Sequence, residues 1–255
     1  MSPSVRLAVL SCVAAACLCA GMVAARGRSD QDLPEKFRKS PYTLMSLSVG
    51  SPIDGWQLRA KKLRPDSRLR VKPGSRNDTY GHPALVLMLQ RSARQMAREA
   101  IGAVMVVGDL SGKHGGPLAG HRSHQSGRDA DVGFFVLDAR GRPKTLDRFV
   151  AFDGEGRAKD GSGLRFDDHR NWLLIQMWLR DARAEVKYVF VASSLRRRLL
   201  AFAEARPAFR KYVGAAAKLL IQPRNSSAHD DHFHVRVACP AGQEALCLER
   251  VAVSD

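Results

Sequence analysis

Six of the eight histidines in this 255-residue chain fall in two short windows, 114–124 and 229–234. The first window runs into "HRSHQSGRDADV" (121–132) and the second opens "HDDHFHV" (229–235), with aspartates interleaved in both. Nearly a hundred residues separate the two, so a fold that uses them together must bring distant strands or loops to one place. Imidazoles and carboxylates gathered in this way are the ligand set of a metal such as zinc.

Spacing restricts how they can meet. His124 and Asp131 are seven apart, and a helix would separate them by about 10.5 Å of rise, too far for one ion. A turn is required, and Gly127 supplies one by accepting a positive φ, so that Asp131 on the following strand faces His124. His232 and His234 are two apart on an expected strand and point to one face, about 6.6 Å along it. One can bind metal while its neighbour faces substrate. The same alternation puts Asp129 on the face of Asp131.

Two histidines and one aspartate leave a fourth zinc position for water, the open arrangement of a catalytic site. Zinc lowers the pKa of such a water to about 7 and polarises carbonyls, which makes amide hydrolysis the expected chemistry, with the second histidine as general acid or base. No HExxH sequence is present, which separates the site from thermolysin-type enzymes. The bland alternative is a hydrogen-bonded His–Asp pair in a turn and an exposed strand face.

Arg6 precedes "LAVLSCVAAACLCAGMVAA" (7–25), a charge-free apolar run ending in small residues. Residues 1–25 read as a signal peptide cleaved after Ala25, with an uncleaved anchor helix as the alternative and a lipid anchor at Cys17 as a weaker one. Residues 26–40 read as a polar linker and 41–255 as one domain. Cys12, Cys17 and Cys19 lie in the leader, and Cys239 and Cys247 remain as a matched pair that forms a disulfide in an oxidising compartment.

Within the domain, residues 41–82 suggest short strands and loops. Pro83 opens a helix that stops near Gly102, and "AVMVVGDL" (103–110) is a strand leading into the Gly-rich loop "SGKHGGPLAG", which delivers His121 and His124. "VGFFV" (132–136) reads as a strand, "DDHRNWLLIQMWLRDA" as a helix with Trp172 and Trp178 in its core face, and "VKYVFVAS" as a strand. "SLRRRLLAFAEA" is a helix capped by Ser193 or Ser194, another helix lies near 207–220, and "HFHVRVAC" alternates as a strand. The expected class is α+β: a small antiparallel sheet carrying the zinc site, flanked by helices and long loops.

The formal charge is +16, and Arg6 is the leader's only charged residue. Such an excess favours an anionic polymer. Export and the lack of an aromatic-plus-basic RNA motif argue against nucleic acid and toward the acidic cell wall, and a membrane would be met only through a retained or lipidated leader. The arginines are dispersed, so a solvated basic surface is the plain alternative.

"SHQSGRDADV" together with "HDDHFHVRVACP" resembles the penicillin-insensitive murein endopeptidases, within the wider group of lysostaphin-like, D-Ala-D-Ala-cleaving and hedgehog-like metallo-domains. The group's pattern is His, six residues, Asp, then a distant His-x-His. Only His124 with Asp131 meets its first part, since seven on from His121 is Arg128. "SVGSPIDG", "VGDLS", "GGPLAGHRSHQSGRD", "RFDDHRNW" and "HVRVACP" extend the resemblance over most of residues 45–247.

The resemblance implies that His124, Asp131 and His234 hold zinc, that His232 is catalytic, and that His229 is a further site residue. His121, Asp129 and Gln125 are candidates for supporting the ligands or touching substrate. Asp230 and Asp231 would cap a turn or orient a histidine, His114 lines the cleft or is simply solvated, and His82 and His169 are structural. The implied activity is that of a periplasmic zinc endopeptidase cutting D-alanyl to meso-diaminopimelyl cross-links in peptidoglycan. A D,D-carboxypeptidase, an L-alanyl-D-glutamate peptidase or a non-catalytic wall-binding module would use the same ligands.

Overall fold

Alternation of apolar and polar residues decides which way the main sheet faces. In the computed structural model, which describes residues 28–223 and 228–249, the strands are β1 (Leu47–Ser51), β2 (Asp54–Leu58), β3 (Lys61–Lys62), β4 (Leu69–Val71), β5 (Tyr80–Gly81), β6 (Met105–Val107), β7 (Asp129–Gly133), β8 (Val136–Leu137), β9 (Pro143–Lys144), β10 (Arg165–Phe166), β11 (Val186–Phe190), β12 (Leu220–Ile221) and β13 (His232–Val237). The helices are α1 (Pro83–Glu99), α2 (Asp168–Arg180), α3 (Ser193–Glu204), α4 (Pro207–Arg210) and α5 (Val213–Leu219). The α+β expectation holds. Its sheet is larger than expected, with six strands in the order β12-β11-β13-β7-β6-β4. The four central strands pair antiparallel, and β12 and β4 add a parallel strand at each edge.

One face of this sheet is apolar. Leu69, Met105, Val107, Ala130, Val132, Phe233, Val235 and Val237 are buried in a single core with α1 and α2. Their sequence neighbours Arg70, Val106, Asp129, Asp131, His232, His234 and Arg236 stand on the opposite face by the two-residue period. The functional candidates on β7 and β13 therefore share a face because their neighbours are core.

The helices follow local chemistry. α1 begins at Pro83, its His82 cap accepting the Ala84 N–H at 3.3 Å, and buries Leu85, Val86, Met88, Leu89 and Met96 at helical spacing. It ends before Gly102, whose φ of +75° reverses the chain. α2 is capped by Asp167, which accepts the Arg170 N–H at 3.0 Å, and it buries Trp172 and Trp178 as expected.

Two expectations need correction. α3 is capped by Ala192 without a side-chain bond; Ser193 is already helical and donates its N–H to Gln222 Oε1 at 2.6 Å. The expected helix at 207–220 is two pieces, with the first closed by a tight Tyr212 N–H to Phe209 carbonyl bond.

The Cys239–Cys247 disulfide is formed. It anchors the segment after β13, which lies against β1 through Gly50 N–H to Leu246 O at 2.8 Å and Leu248 N–H to Gly50 O at 3.0 Å. Buried Arg128 fastens the same segment by donating to the carbonyls of Val237 and Leu248. The described residues 28–39 belong to a separate unit, in which Ser29 and Asp32 make a capping box around a short 3₁₀ turn. The expected leader, with Cys12, Cys17 and Cys19, lies outside the described residues. Among the described residues no helix is long and apolar enough to cross a membrane.

Candidate metal centre

β7 and β13 pair with His234 opposite Asp131 and Arg236 opposite Asp129, which sets two carboxylates beside two histidines. His124 arrives from the loop before β7 with φ +70°, a left-handed conformation unusual for a side-chain-bearing residue. Gly127 follows at φ +74°, and a Cβ there would stand 1.8 Å from Gln57 Oε1, so the turn requires glycine.

Each imidazole is fixed by one nitrogen and turned toward Asp131 by the other. His124 Nδ1 lies 2.6 Å from the Leu110 carbonyl, to which it donates, and its Nε2 is 3.3 Å from Asp131 Oδ1. His234 Nε2 is 2.9 Å from Asp129 Oδ1, leaving Nδ1 3.3 Å from the same Asp131 oxygen. His232 Nδ1 is 2.6 Å from Asp231 Oδ1, with Nε2 3.4 Å from Asp131 Oδ1. His121 Nε2 is 3.1 Å from Asp109 Oδ2 and its Nδ1 3.7 Å from Asp131 Oδ2. A carboxylate or carbonyl behind each ring, fixing its orientation and tautomer, is the arrangement found behind metal-bound histidines.

The donors fit a zinc ion. His124 is 0% and Asp131 2% exposed, yet His124 Nε2 and Asp131 Oδ1 make no hydrogen bond. Leaving such buried atoms unmet costs about 1–3 kcal/mol each, and a shared cation removes that cost. One atom each from His121, His124 and Asp131 lies within 4.8 Å of the others, and His234 Nδ1 approaches Asp131 as closely as His124 does. Imidazole nitrogen with one carboxylate oxygen suits zinc.

Electrostatics reinforce the geometry. Burial would raise the Asp129 carboxyl, but the Arg236 guanidinium at 2.6 Å and the His234 ring hold it well below the carboxylate range. Burial likewise opposes ionisation of Asp131, and the facing His124 and His232 overcome it. His232 is pushed down by burial and up by Asp131 and Asp231, ending at about 10. Asp109, despite its burial, is drawn down to about 2 by the hydrogen bond from His121 and by the Lys72 charge.

Around this cluster the other candidates sort by contact. His229 is buried at φ +49° with its ring 5.4 Å from that of His232 and 5.5 Å from that of His234. Gln125 turns elsewhere: its Oε1 accepts from Gly55 and its backbone bonds Pro52 and Gly116. His114 is exposed, and Asp230 pairs with Lys159 at 2.7 Å.

Four neighbours escaped the reading of motifs. Asp109 and the Leu110 carbonyl come from β6's exit. Arg236 lies two residues beyond His234, where alternation alone would have found it. Phe149 lies outside every motif, and its ring stacks on His232 at 5.1 Å and 27°. That ring sits against Gly108 and Gly133, where a Cβ would stand 2.6 Å and 3.0 Å from ring carbons.

A family described as penicillin-insensitive murein endopeptidase matches residues 48–254. Proteins of that name are similar to this chain in Haemophilus influenzae, 31% identical over 200 residues (76% of this chain, 64% of the relative), and in Klebsiella pneumoniae, 30% over 170 residues (64% and 55%). A further one in Escherichia coli is 29% identical over 203 residues (79% and 69%). The chain therefore spans under two thirds of the length of the first two. With the match running from β1 through both histidine clusters to the disulfide, the chain belongs to the penicillin-insensitive murein endopeptidase family.

Proposed function

We propose that this protein is an exported zinc-dependent endopeptidase that acts in the periplasm on peptidoglycan, hydrolysing the D-alanyl to meso-diaminopimelyl amides that cross-link its peptides. The carrying observation is the convergence of His124 Nε2, His234 Nδ1 and His232 Nε2 on one Asp131 oxygen at 3.3, 3.3 and 3.4 Å. In this reading His124, Asp131 and His234 hold the zinc, and His232 is the catalytic histidine. Bound zinc supplies a Lewis acid that polarises the amide carbonyl and a water whose pKa is lowered to about 7.

The protein's own groups do the rest. Asp129 orients His234 and is itself held by Arg236. Asp231 fixes His232 so that Nε2 faces the reacting space, where it holds a proton and passes it to the departing amine nitrogen as the C–N bond breaks. Phe149 stacks on that ring, and His229 packs beside it. The basic surface gathers the protein on an anionic wall, and the N-terminal signal peptide directs export.

The test is mass spectrometry of cross-linked muropeptide dimers incubated with the protein, with zinc and with a chelator. Conversion of dimers to monomers that stops on chelation and returns with zinc supports the reading, and fragment masses name the bond. Dimers left intact by zinc-loaded protein would overturn it in favour of a wall-binding module. Release of only terminal D-alanine, or of an L-alanyl fragment, would move it to a carboxypeptidase or an L-alanyl-D-glutamate peptidase.

A further inference from the structure

The four imidazoles around Asp131 lie at different depths. The side chains of His124 and His234 are 0% and 6% exposed, whereas those of His121 and His232 are 21% and 15% exposed. The outer two rings border solvent, where packing alone fixes a ring less firmly.

Lys72 lies between the groups that hold these outer rings. Its ammonium is 3.5 Å from Asp109 Oδ2, the oxygen that His121 Nε2 approaches at 3.1 Å. It also stands 4.8 Å from the centroid of Phe149, the ring stacked on His232 at 5.1 Å. A lysine at that distance from an aromatic face is attracted by the ring's quadrupole. One cation thus meets both the carboxylate behind His121 and the ring against His232.

Local structure aims the lysine there. β4 pairs parallel with β6, Val71 opposite Val107, and the Lys72 N–H extends the pairing by donating to the Val107 carbonyl at 2.8 Å. The two-residue period sets Lys72 on the face of Arg70, opposite the core. Its own carbonyl accepts the Ser75 N–H at 2.9 Å in the short 3₁₀ turn at Pro73–Ser75, so the backbone is fixed on both sides of the side chain. Asp109 follows Val107, the last residue of β6, by two positions, which brings its carboxylate within the lysine's reach.

The same order of groups stands on the other side of the centre. There Arg236 donates to Asp129 at 2.6 Å and Asp129 meets His234 at 2.9 Å, giving cation, carboxylate and imidazole in line before Asp131. That series is buried. Lys72, Asp109 and His121 repeat the order at the solvent-facing edge, where the lysine side chain is 27% exposed. An ion pair so placed contributes little by itself; the second contact, to Phe149, couples it to His232.

We infer that Lys72 is a positioning residue for the reaction: its ammonium holds Asp109 against His121 and Phe149 against His232, so that one group orients both outer imidazoles. The consequence for turnover rests on the endopeptidase reading; the consequence for the rings does not.

Lys72→Met removes the charge and keeps the length, and Lys72→Arg keeps the charge. In the full chain with zinc, Lys72→Met should lower kcat on muropeptide dimers about two- to tenfold with KM little changed, and Lys72→Arg should restore it. Proton NMR of the histidine rings reads orientation without turnover. The Phe149 ring current displaces the His232 ring protons, so their resonances in Lys72→Met should move toward their positions in Phe149→Ala and return in Lys72→Arg. In the double variant Lys72→Met/Phe149→Ala they should move no further than in Phe149→Ala alone. Lys72→Gln carries both measurements if Lys72→Met does not fold.

His232 resonances unmoved by loss of the charge overturn the inference. So does a raised KM with native kcat, which would make Lys72 a substrate contact, and so does a kcat loss that Lys72→Arg leaves unrestored. Dimers left uncleaved by the native chain overturn the endopeptidase, and the ring resonances then decide the role of Lys72 alone: if they move the positioning stands, and if they do not it falls.

Discussion

Phe149 tests whether the orientation of His232 is held from outside the ligand set. Its ring meets His232 face to face at 5.1 Å, with the Lys72 ammonium 4.8 Å from its centroid. It reaches that place only because Gly108 and Gly133 have no side chains: a Cβ on Gly108 would stand 2.6 Å from Phe149 Cζ. An aromatic pair of this kind contributes about 0.5–1.5 kcal/mol beyond area. If that energy holds the productive rotamer, Phe149→Ala lowers kcat on muropeptide dimers about two- to twelvefold with KM little changed.

Gly108→Ala should produce the same kcat loss by expelling the ring, together with an overpacking cost of about 1–3 kcal/mol in urea unfolding. The double variant Gly108→Ala/Phe149→Ala should recover most of that stability while kcat stays at the level of Phe149→Ala, a strongly non-additive pair. Phe149→Tyr, which keeps the stack, should retain kcat. A Phe149→Ala enzyme with unchanged kcat and a raised KM would refute the reasoning, because the ring would then be touching substrate rather than holding His232. So would additive effects in the double variant.

His232→Ala should cut kcat by about 100- to 10,000-fold with one zinc still bound, whereas His124→Ala should lose the zinc in metal analysis; zinc loss in both would remove the distinction between them. Asp129→Asn takes the charge from behind His234 and from beside Arg236, and should weaken zinc binding about 10- to 100-fold while lowering stability, since Arg236 stays buried without its counter-charge. His82 is held down to about 4 by burial against about 6.5 in the unfolded chain. Its folded pKa is depressed, so the contribution is fully present above about pH 6.5 and is lost as pH falls toward 4, up to about 3 kcal/mol. His82→Asn, which keeps a cap, should flatten the fall in urea midpoint across that window, and an unchanged slope would exclude the group. Adsorption to isolated sacculi should fall steeply between 0.1 and 1 M salt, as the Debye length shrinks from about 10 Å to about 3 Å; salt-insensitive adsorption would rule out capture by charge.

What the sequence revealed and what it hid divide along one physical line. The turn at Gly127 and the two-residue period of β7 and β13 are local properties. They carry Asp129, Asp131, His232 and His234 to one face by rules legible in a few residues, and the structure has all four there. Arg236 obeys the same period and was missed only because no chemistry was sought beyond the histidines. The sheet was underestimated for a related reason: β4 and β12 are two or three residues long, too short to show a period.

Asp109, the Leu110 carbonyl and Phe149 are of another kind. They meet His121, His124 and His232 through sequence separations of 12, 14 and 83 residues, and although "VGDLS" contains Asp109 and Leu110, nothing in that stretch assigns either to a histidine. Ligands must be of particular residue types, so they leave a signature. The groups that aim them need only one oxygen or one flat ring at the right distance, which many residues and even the backbone can supply. The same logic explains Gln125, whose place beside His124 in the motif suggested a role at the metal. A strongly turned segment sends neighbouring side chains to different sides, and with His124 at φ +70° the next residue is delivered to the β1–β2 hairpin instead. Proximity in sequence predicts proximity at a site only where the backbone has a period; in the turn that presents His124 it has none.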